Sequence, residues 1–418
     1  MKRRIFATLL AFCLIASLCV VGAAAASVEG CPGGSGCAHE AAIGDVHYDT
    51  LADALSAAID GDTVMLLRDI NIDSSYISIT KSIVFDLGGN TITCSLETQA
   101  VAIYNNSYVT IQNGRIYCSN NAVALFVYLS HVTTRNIELI SDGYKGVAIQ
   151  VGYSKNGDYW GNLTVEDGTV VYGTSAGILV VGPYLDVDSL ENRDNRAAIM
   201  VNGGTITGGY AISGNGRYQG TTIEINDGII GDEETYITVY HPQMGDITLN
   251  GGTLTGQMGV QMCSGELNVP TYSSVVINAI GEDNRDNKEE NDGPVLDGAA
   301  VSSLDRNYPG GPAVVNISGG TFNSTQSESV LTYSWNSSSK EHSTWEEETE
   351  YTHISGGEFS DSVVKYVSPD LQFEANSNGV YTYHRTIESA AAAAGNDGSV
   401  SMISDGAVVD ETTGHTIT

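Results

Sequence analysis

The chain has 418 residues, with 50 Asp+Glu against 18 Lys+Arg and a formal net charge of −32. Like charge repels, which disfavours nucleic acid and anionic lipid as partners and leaves room for cationic ones such as Ca²⁺. The many glycines, threonines, asparagines and tyrosines, with few lysines, suit an extracellular β protein.

Residues 1–26 read as a secretory signal peptide. Lys2, Arg3 and Arg4 precede an apolar run over 5–21, and small residues at 23–26 offer a cleavage site. The run is short for a membrane-spanning helix. Without these residues 15 Lys+Arg face 50 Asp+Glu, a net charge of −35. The expected location is secreted or cell-surface, with no membrane insertion after signal removal.

Segment 27–47 is rich in Cys and Gly. Cys31 and Cys37 flank a loop of Pro32, Gly33, Gly34, Ser35 and Gly36, which leaves two readings open. One is a local disulfide suited to an oxidising compartment. The other is a metal site of Cys31, Cys37 and His39 that lacks a clear fourth ligand. Cys94 and Cys118 lie 24 positions apart, the spacing of the repeat described next.

TLADALSAAIDG at 50–61 places Leu51, Ala54, Leu55 and Ala58 on one helical face. Thr50 and Asp53 form the start signal, and Gly61 the stop. This predicts a helix over 50–60 that covers the open end of a strand array over 48–382.

One phrase then recurs: VTIQNGRI at 109–116, LTVEDGTV at 163–170, IMVNGGTI at 199–206, IEINDGII at 223–230, ITLNGGTL at 247–254 and VNISGGTF at 315–322. Gly204, Gly228 and Gly252 set a period of 24. A second phrase, small then aliphatic, keeps step at Ala102-Ile103, Ala148-Ile149 and Ala211-Ile212. Two strand signals per period, with glycines between them, predict an all-β fold: a right-handed parallel β-helix, or solenoid, with an N-terminal capping helix. Propeller blades need roughly 40 residues or more, and sandwiches do not repeat a fixed short phrase.

The phrases ISGGTF at 317–322 and ISGGEF at 354–359, together with the opening from Ala41, resemble the surface and adhesin-like β-helix proteins of gut bacteria in the pectin-lyase-like superfamily. That resemblance implies a fold and not an activity. The NTD, DD and GHG elements of polygalacturonase-type members are absent, and Arg193, Arg196, Arg285 and Arg306 each lie beside acids that would pair with them.

At the C-terminus, TIESAAAAAGNDGSV (386–400) aligns without a gap onto 50–64. It marks residues 383–418 as the start of a second, incomplete module.

The period is interrupted after Val151, Val180, Cys263 and Leu331. All four insertions are expected at one corner, hence on one side, where binding loops gather. They carry the three tryptophans, so Tyr159, Trp160, Tyr184, Trp335 and Trp345 are the candidate ligand-binding residues. Their flat rings suit the apolar faces of sugars, and the rival reading is that they pack the loops onto the wall. Two acidic runs, DVDSLENRDNR at 186–196 and EDNRDNKEENDG at 282–293, make Asp186, Asp188, Asp283 and Asp286 candidate Ca²⁺ ligands. Solvated loops would look the same. The expected function is therefore binding of a glycan or host surface through the loop side. A polysaccharide lyase or glycoside hydrolase, which needs paired carboxylates, and a structural spacer are the alternatives. No catalytic residue is legible.

Overall fold

This computed structural model describes residues 37–153, 160–181, 197–215, 221–242, 244–286, 293–308, 310–344 and 348–404. The expected signal peptide lies outside them, as do Cys31, Tyr159, Tyr184, Asp186, Asp188 and Trp345. Among the described residues no helix is long and apolar enough to cross a membrane.

The described chain is all-β with one long, mainly parallel sheet, an arrangement compatible with a β-helix. Three ladders are visited in rotation. Strand β3 (Thr63–Leu66) opens ladder A, Ile70–Ile72 opens ladder B and Ile77–Ile79 opens ladder C. On the next pass Val84–Asp86, Thr91–Cys94 and Gln99–Ile103 pair with them in parallel, one for one.

Alternation sends every second side chain inward, and parallel register stacks like on like. In ladder B the inward column runs Ile70, Ile92, Ile116, Leu139, Val171, Ile206 and onward through Ile230, Leu254, Ile277, Phe322 and Phe359. All are buried, each contributing on the order of 2 kcal/mol by leaving water. Cys94 and Cys118 are register partners in the same ladder, both buried thiols.

Where ladder A turns into ladder B, amides stack instead. Asn202 donates to Glu166 Oε1 (3.0 Å), Asn226 to Asn202 Oδ1 (2.9 Å) and Asn250 to Asn226 Oδ1 (2.8 Å). The same corner holds the 24-spaced glycines. Gly228 has φ +114°, and a Cβ there would stand 3.0 Å from the Gly204 carbonyl oxygen. Only glycine meets both demands.

The insertions differ from expectation at one point. Those after Val151 and Val180 leave between ladders C and A, as does the hairpin of Val330–Asn336 with Glu341–Ser343. Cys263, however, leads directly into Glu266–Val269, an ordinary ladder A strand paired on both sides. The acidic stretch at 282–293 departs instead from Val276–Glu282 of ladder B, before Val301–Asp305 of ladder C. Pro270 and Ser273 stand where other rungs carry the glycine phrase, so that rung looks like an interruption.

At the N-terminal end β1 (Ala41–Ile43) lies between β2 (Val46–Tyr48) and β3, antiparallel to both. Helix α1 (Leu51–Ala57) follows, with Thr50 Oγ1 accepting from Asp53 N. It stops earlier than the spacing predicts. Ala58 is already extended, and Lys81 Nζ donates to the carbonyls of Leu55, Ser56 and Ala58 at 3.1, 2.7 and 2.5 Å. A cation there satisfies orphan carbonyls and the negative helix end.

The unit recurs near the C-terminus. Phe373–Ser377 is antiparallel to Val380–His384 and to Ser399–Met402, with helix Ile387–Ala394 packed on them through Phe373, Ile387 and Ala390. Thr386 caps that helix through Ser389 N as Thr50 caps α1.

His241 is an exception to the apolar interior of ladder C. It is fully buried, with Nε2 accepting from Thr221 Oγ1 (3.1 Å) and Nδ1 facing the Ser264 carbonyl (3.4 Å). Burial pulls its pKa down to about 4. The unfolded chain therefore binds the proton more tightly, and the stabilisation present above about pH 6.5 is lost as pH falls toward 4. Thermal midpoints of wild type and His241→Gln between pH 7.5 and 4 should show the steeper acid loss in wild type. Parallel curves would contradict this.

Candidate functional site

Along the corner where ladder C passes into ladder A, three successive rungs carry aromatic side chains at matched positions. Tyr104, Tyr128 and Tyr153 leave ladder C there. Tyr108, His131 and Trp160 stand at or just before the entry to ladder A, where register pairs Tyr108 with His131 and His131 with Asn162.

Rung spacing brings the rings into contact. Tyr108 and His131 stack at 4.3 Å between centroids with 5° between planes, and Trp160 lies tilted on His131 at 5.0 Å. Beside them Tyr104 stacks on Tyr128 at 5.3 Å, Phe126 on Tyr128 at 4.9 Å, and Tyr153 meets Phe126 edge-on at 6.0 Å. Tyr108 is 61% exposed and Tyr153 36%; the others are half-buried.

Backbone hydrogen bonds fix the turns rung to rung. Asn106 N donates to Leu129 O (2.6 Å), and Leu129 N donates to Trp160 O. Asn105, Asn106 and Leu129 all take positive φ, a conformation tolerated by Asn and strained for Leu. Asn162 Nδ2 sits 3.1 Å from His131 Nδ1, and burial holds the imidazole below its ordinary pKa. Residues 104–108 and 126–131 contain no Asp, Glu, Lys or Arg. In a chain of net charge −32 these two rungs form an uncharged, ring-lined edge bordered by amides and hydroxyls, while on the third Lys155 and Asp158 lie in the sequence between Tyr153 and Trp160.

Trp335 is not part of it. It is 3% exposed, in a second apolar cluster with Tyr240, Leu331 and Tyr333 over the outer face of ladder C. Residues 293–300 cover that face. Gln261 pins them by donating to Val295 O (2.7 Å) and accepting from Val295 N (2.9 Å). Asp297, fully buried beneath, accepts from Ala299 N (3.0 Å), Gln261 Nε2 (3.2 Å) and Tyr333 OH (2.9 Å). The packing reading therefore holds for Trp335, while Trp160 lies half-exposed on the aromatic corner.

The described Ca²⁺ candidates are engaged elsewhere. Asp283 takes a two-pronged contact from Arg285, whose Nε and Nη2 donate at 2.9 and 2.7 Å. Burial pushes the Asp283 pKa up, but the Arg285 guanidinium and backbone N–H outweigh it and leave it lowered. Asp286 meets His342 Nε2 at 3.2 Å. Arg306, expected to pair with acids, donates Nη2 to the Gly293 carbonyl at 2.6 Å. Cys37 is disulfide-bonded. A cleft of about 380 Å³ between the turns at 273–275 and 318–321 and the strand Val380–His384 is lined by a single carboxylate, Glu358, and by His384.

Apart from Trp160, the aromatic corner escaped sequence reasoning because its rings come from separate rungs. The recurrence of Tyr104, Tyr128 and Tyr153 at 24- and 25-residue intervals was the available signal.

Burial pushes the pKa of Asp297 up to about 6, against hydrogen bonds from Ala299 and Tyr333. A carboxyl raised in the folded state stabilises below its unfolded pKa, about 3.9, and loses that contribution as pH rises through 6. Wild type should therefore lose on the order of 1 kcal/mol between pH 5 and 8 that Asp297→Asn does not lose. Thermal melts over that range check the slope, and equal slopes would contradict it.

No family model matches this chain, and no match is found among curated proteins or solved structures.

Proposed function

We propose that this is an exported, surface or secreted right-handed β-helix protein, closed at its start by α1, that binds neutral glycan through the corner of Tyr108, His131 and Trp160. The observation that carries the reading is the aromatic edge spanning three rungs, the first two of which carry no charged residue. Sugar rings present apolar C–H faces that lie on Tyr and Trp, while their hydroxyls find amides and hydroxyls at the border. A rigid ladder holds the rings in place before the ligand arrives, which lowers the ordering cost of binding. The resemblance to the surface proteins of the pectin-lyase-like superfamily supports the same reading. So does the signal-like N-terminus.

The test is binding of neutral and acidic oligosaccharides, on an array and by titration calorimetry, with wild type and the Tyr108→Ala/Trp160→Ala double variant. A neutral glycan should bind, and the double variant should weaken it tenfold or more, about 1.4 kcal/mol. Trp335→Phe should leave it unchanged. Undiminished binding by a double variant with a wild-type thermal midpoint would refute the assignment.

A further inference from the structure

Residues 37–49 bring three metal-ligating side chains together away from the aromatic corner. Glu40 N donates to Tyr48 O at 3.1 Å, and the β1–β2 register sets Ala42 opposite His47. His47 thereby returns beside Cys37 and His39. Cys37 Sγ is 3.4 Å from His39 Nδ1 and 3.3 Å from His47 Nδ1, and the three atoms lie within 4.8 Å of one another. With Zn–S near 2.3 Å and Zn–N near 2.0–2.1 Å, tetrahedral geometry separates S and N ligands by about 3.6 Å. The side chains thus already stand near ligand spacing.

Two further observations point the same way. The other ring nitrogen of His39, Nε2, lies 3.5 Å from Asp49 Oδ1, and the ring is largely buried. A carboxylate on that side keeps hydrogen on Nε2 and turns the Nδ1 lone pair toward the sulfur, the arrangement that orients metal-binding histidines. The C-terminal copy of the unit provides an internal comparison. Phe373 pairs with His384 and Met402 as Ala41 pairs with Tyr48 and Leu66. By that register Cys37, His39 and His47 correspond to Pro369, Leu371 and Tyr383. The same hairpin, helix and strand form without the three ligands, so the architecture does not require them.

We propose that Cys37, His39 and His47 form a redox-gated site for a zinc-class transition metal. Cys37 is disulfide-bonded, and a disulfide sulfur lacks the thiolate charge that a metal needs. A dithiol reductant transfers two electrons and two protons to the S–S bond, leaving two thiols and becoming a disulfide itself. Zn²⁺ then displaces the proton from Cys37 Sγ and takes the Nδ1 lone pairs of His39 and His47. The fourth position is open to water. Sequence spacing alone leaves this set incomplete; His47 is the ligand that only the hairpin supplies.

The full chain, oxidised or reduced with a phosphine that is then removed, is titrated with Zn²⁺ and, for a spectrum, Co²⁺. The reduced protein should take up one ion per chain and show an intense near-ultraviolet thiolate-to-Co²⁺ band. His47→Gln, which leaves both cysteines intact, should weaken uptake tenfold or more, and Cys37→Ser should abolish the band. The proposal is overturned if reduced protein gives no band, if oxidised protein binds equally well, or if His47→Gln binds as wild type does. Uptake without a thiolate band would mark adventitious binding to surface carboxylates and overturn it equally.

Discussion

Parallel strands hydrogen-bond at a spacing of about 4.8 Å, and the rest of this molecule depends on that distance. A residue placed on one rung must tolerate nearly the same residue directly above and below. Inside, the requirement selects columns such as Ile92, Ile116 and Leu139. At the corner between ladders A and B it selects amides, because Asn202 and Asn226 each donate to one neighbour and accept from the other, and Asn250 donates into the same row. At the corner between ladders C and A it selects flat rings, whose thickness suits the spacing. The aromatic edge is thus the repeat's own geometry expressed on the surface.

The outer face of ladder C shows how a segment outside the repeat can be fixed to it. Residues 293–300 replace water over Tyr240, Leu331 and Tyr333, and their polar groups are matched by Gln261 and Asp297. A buried carboxyl costs stability unless hydrogen bonds or a nearby cation compensate. Asp297 has the hydrogen bonds, and its position fixes where the segment lies. Arg285 reaches the same region from the acidic stretch, with its guanidinium 5.0 Å from the Tyr333 ring centre.

Most of the ladder arrangement was legible because it is periodic. The phrases at 199–206, 223–230 and 247–254 are ladder A and B strands around one glycine turn, and their spacing equals the rung length. Contacts made across rungs or by covering segments were not legible. Trp335 reads as a loop residue until its strand is seen beneath residues 293–300. The rung from Glu266 was obscured because Pro270 to Ser274 turn the chain without a glycine. Tyr108 and His131 carried no local motif, and His47 gained its meaning only when β2 folded back on β1.

A stack of parallel strands is unpaired at its first and last rungs, and an unpaired edge is a template for another chain. Here β1 runs antiparallel along β3, and at the far end Phe359 pairs antiparallel with Tyr381. Reversal of strand direction breaks the register that a second molecule would need to continue the ladder. The two short hairpins therefore keep the ladder edges they cover, A at the start and B at the far end, from continuing in parallel register onto a second molecule.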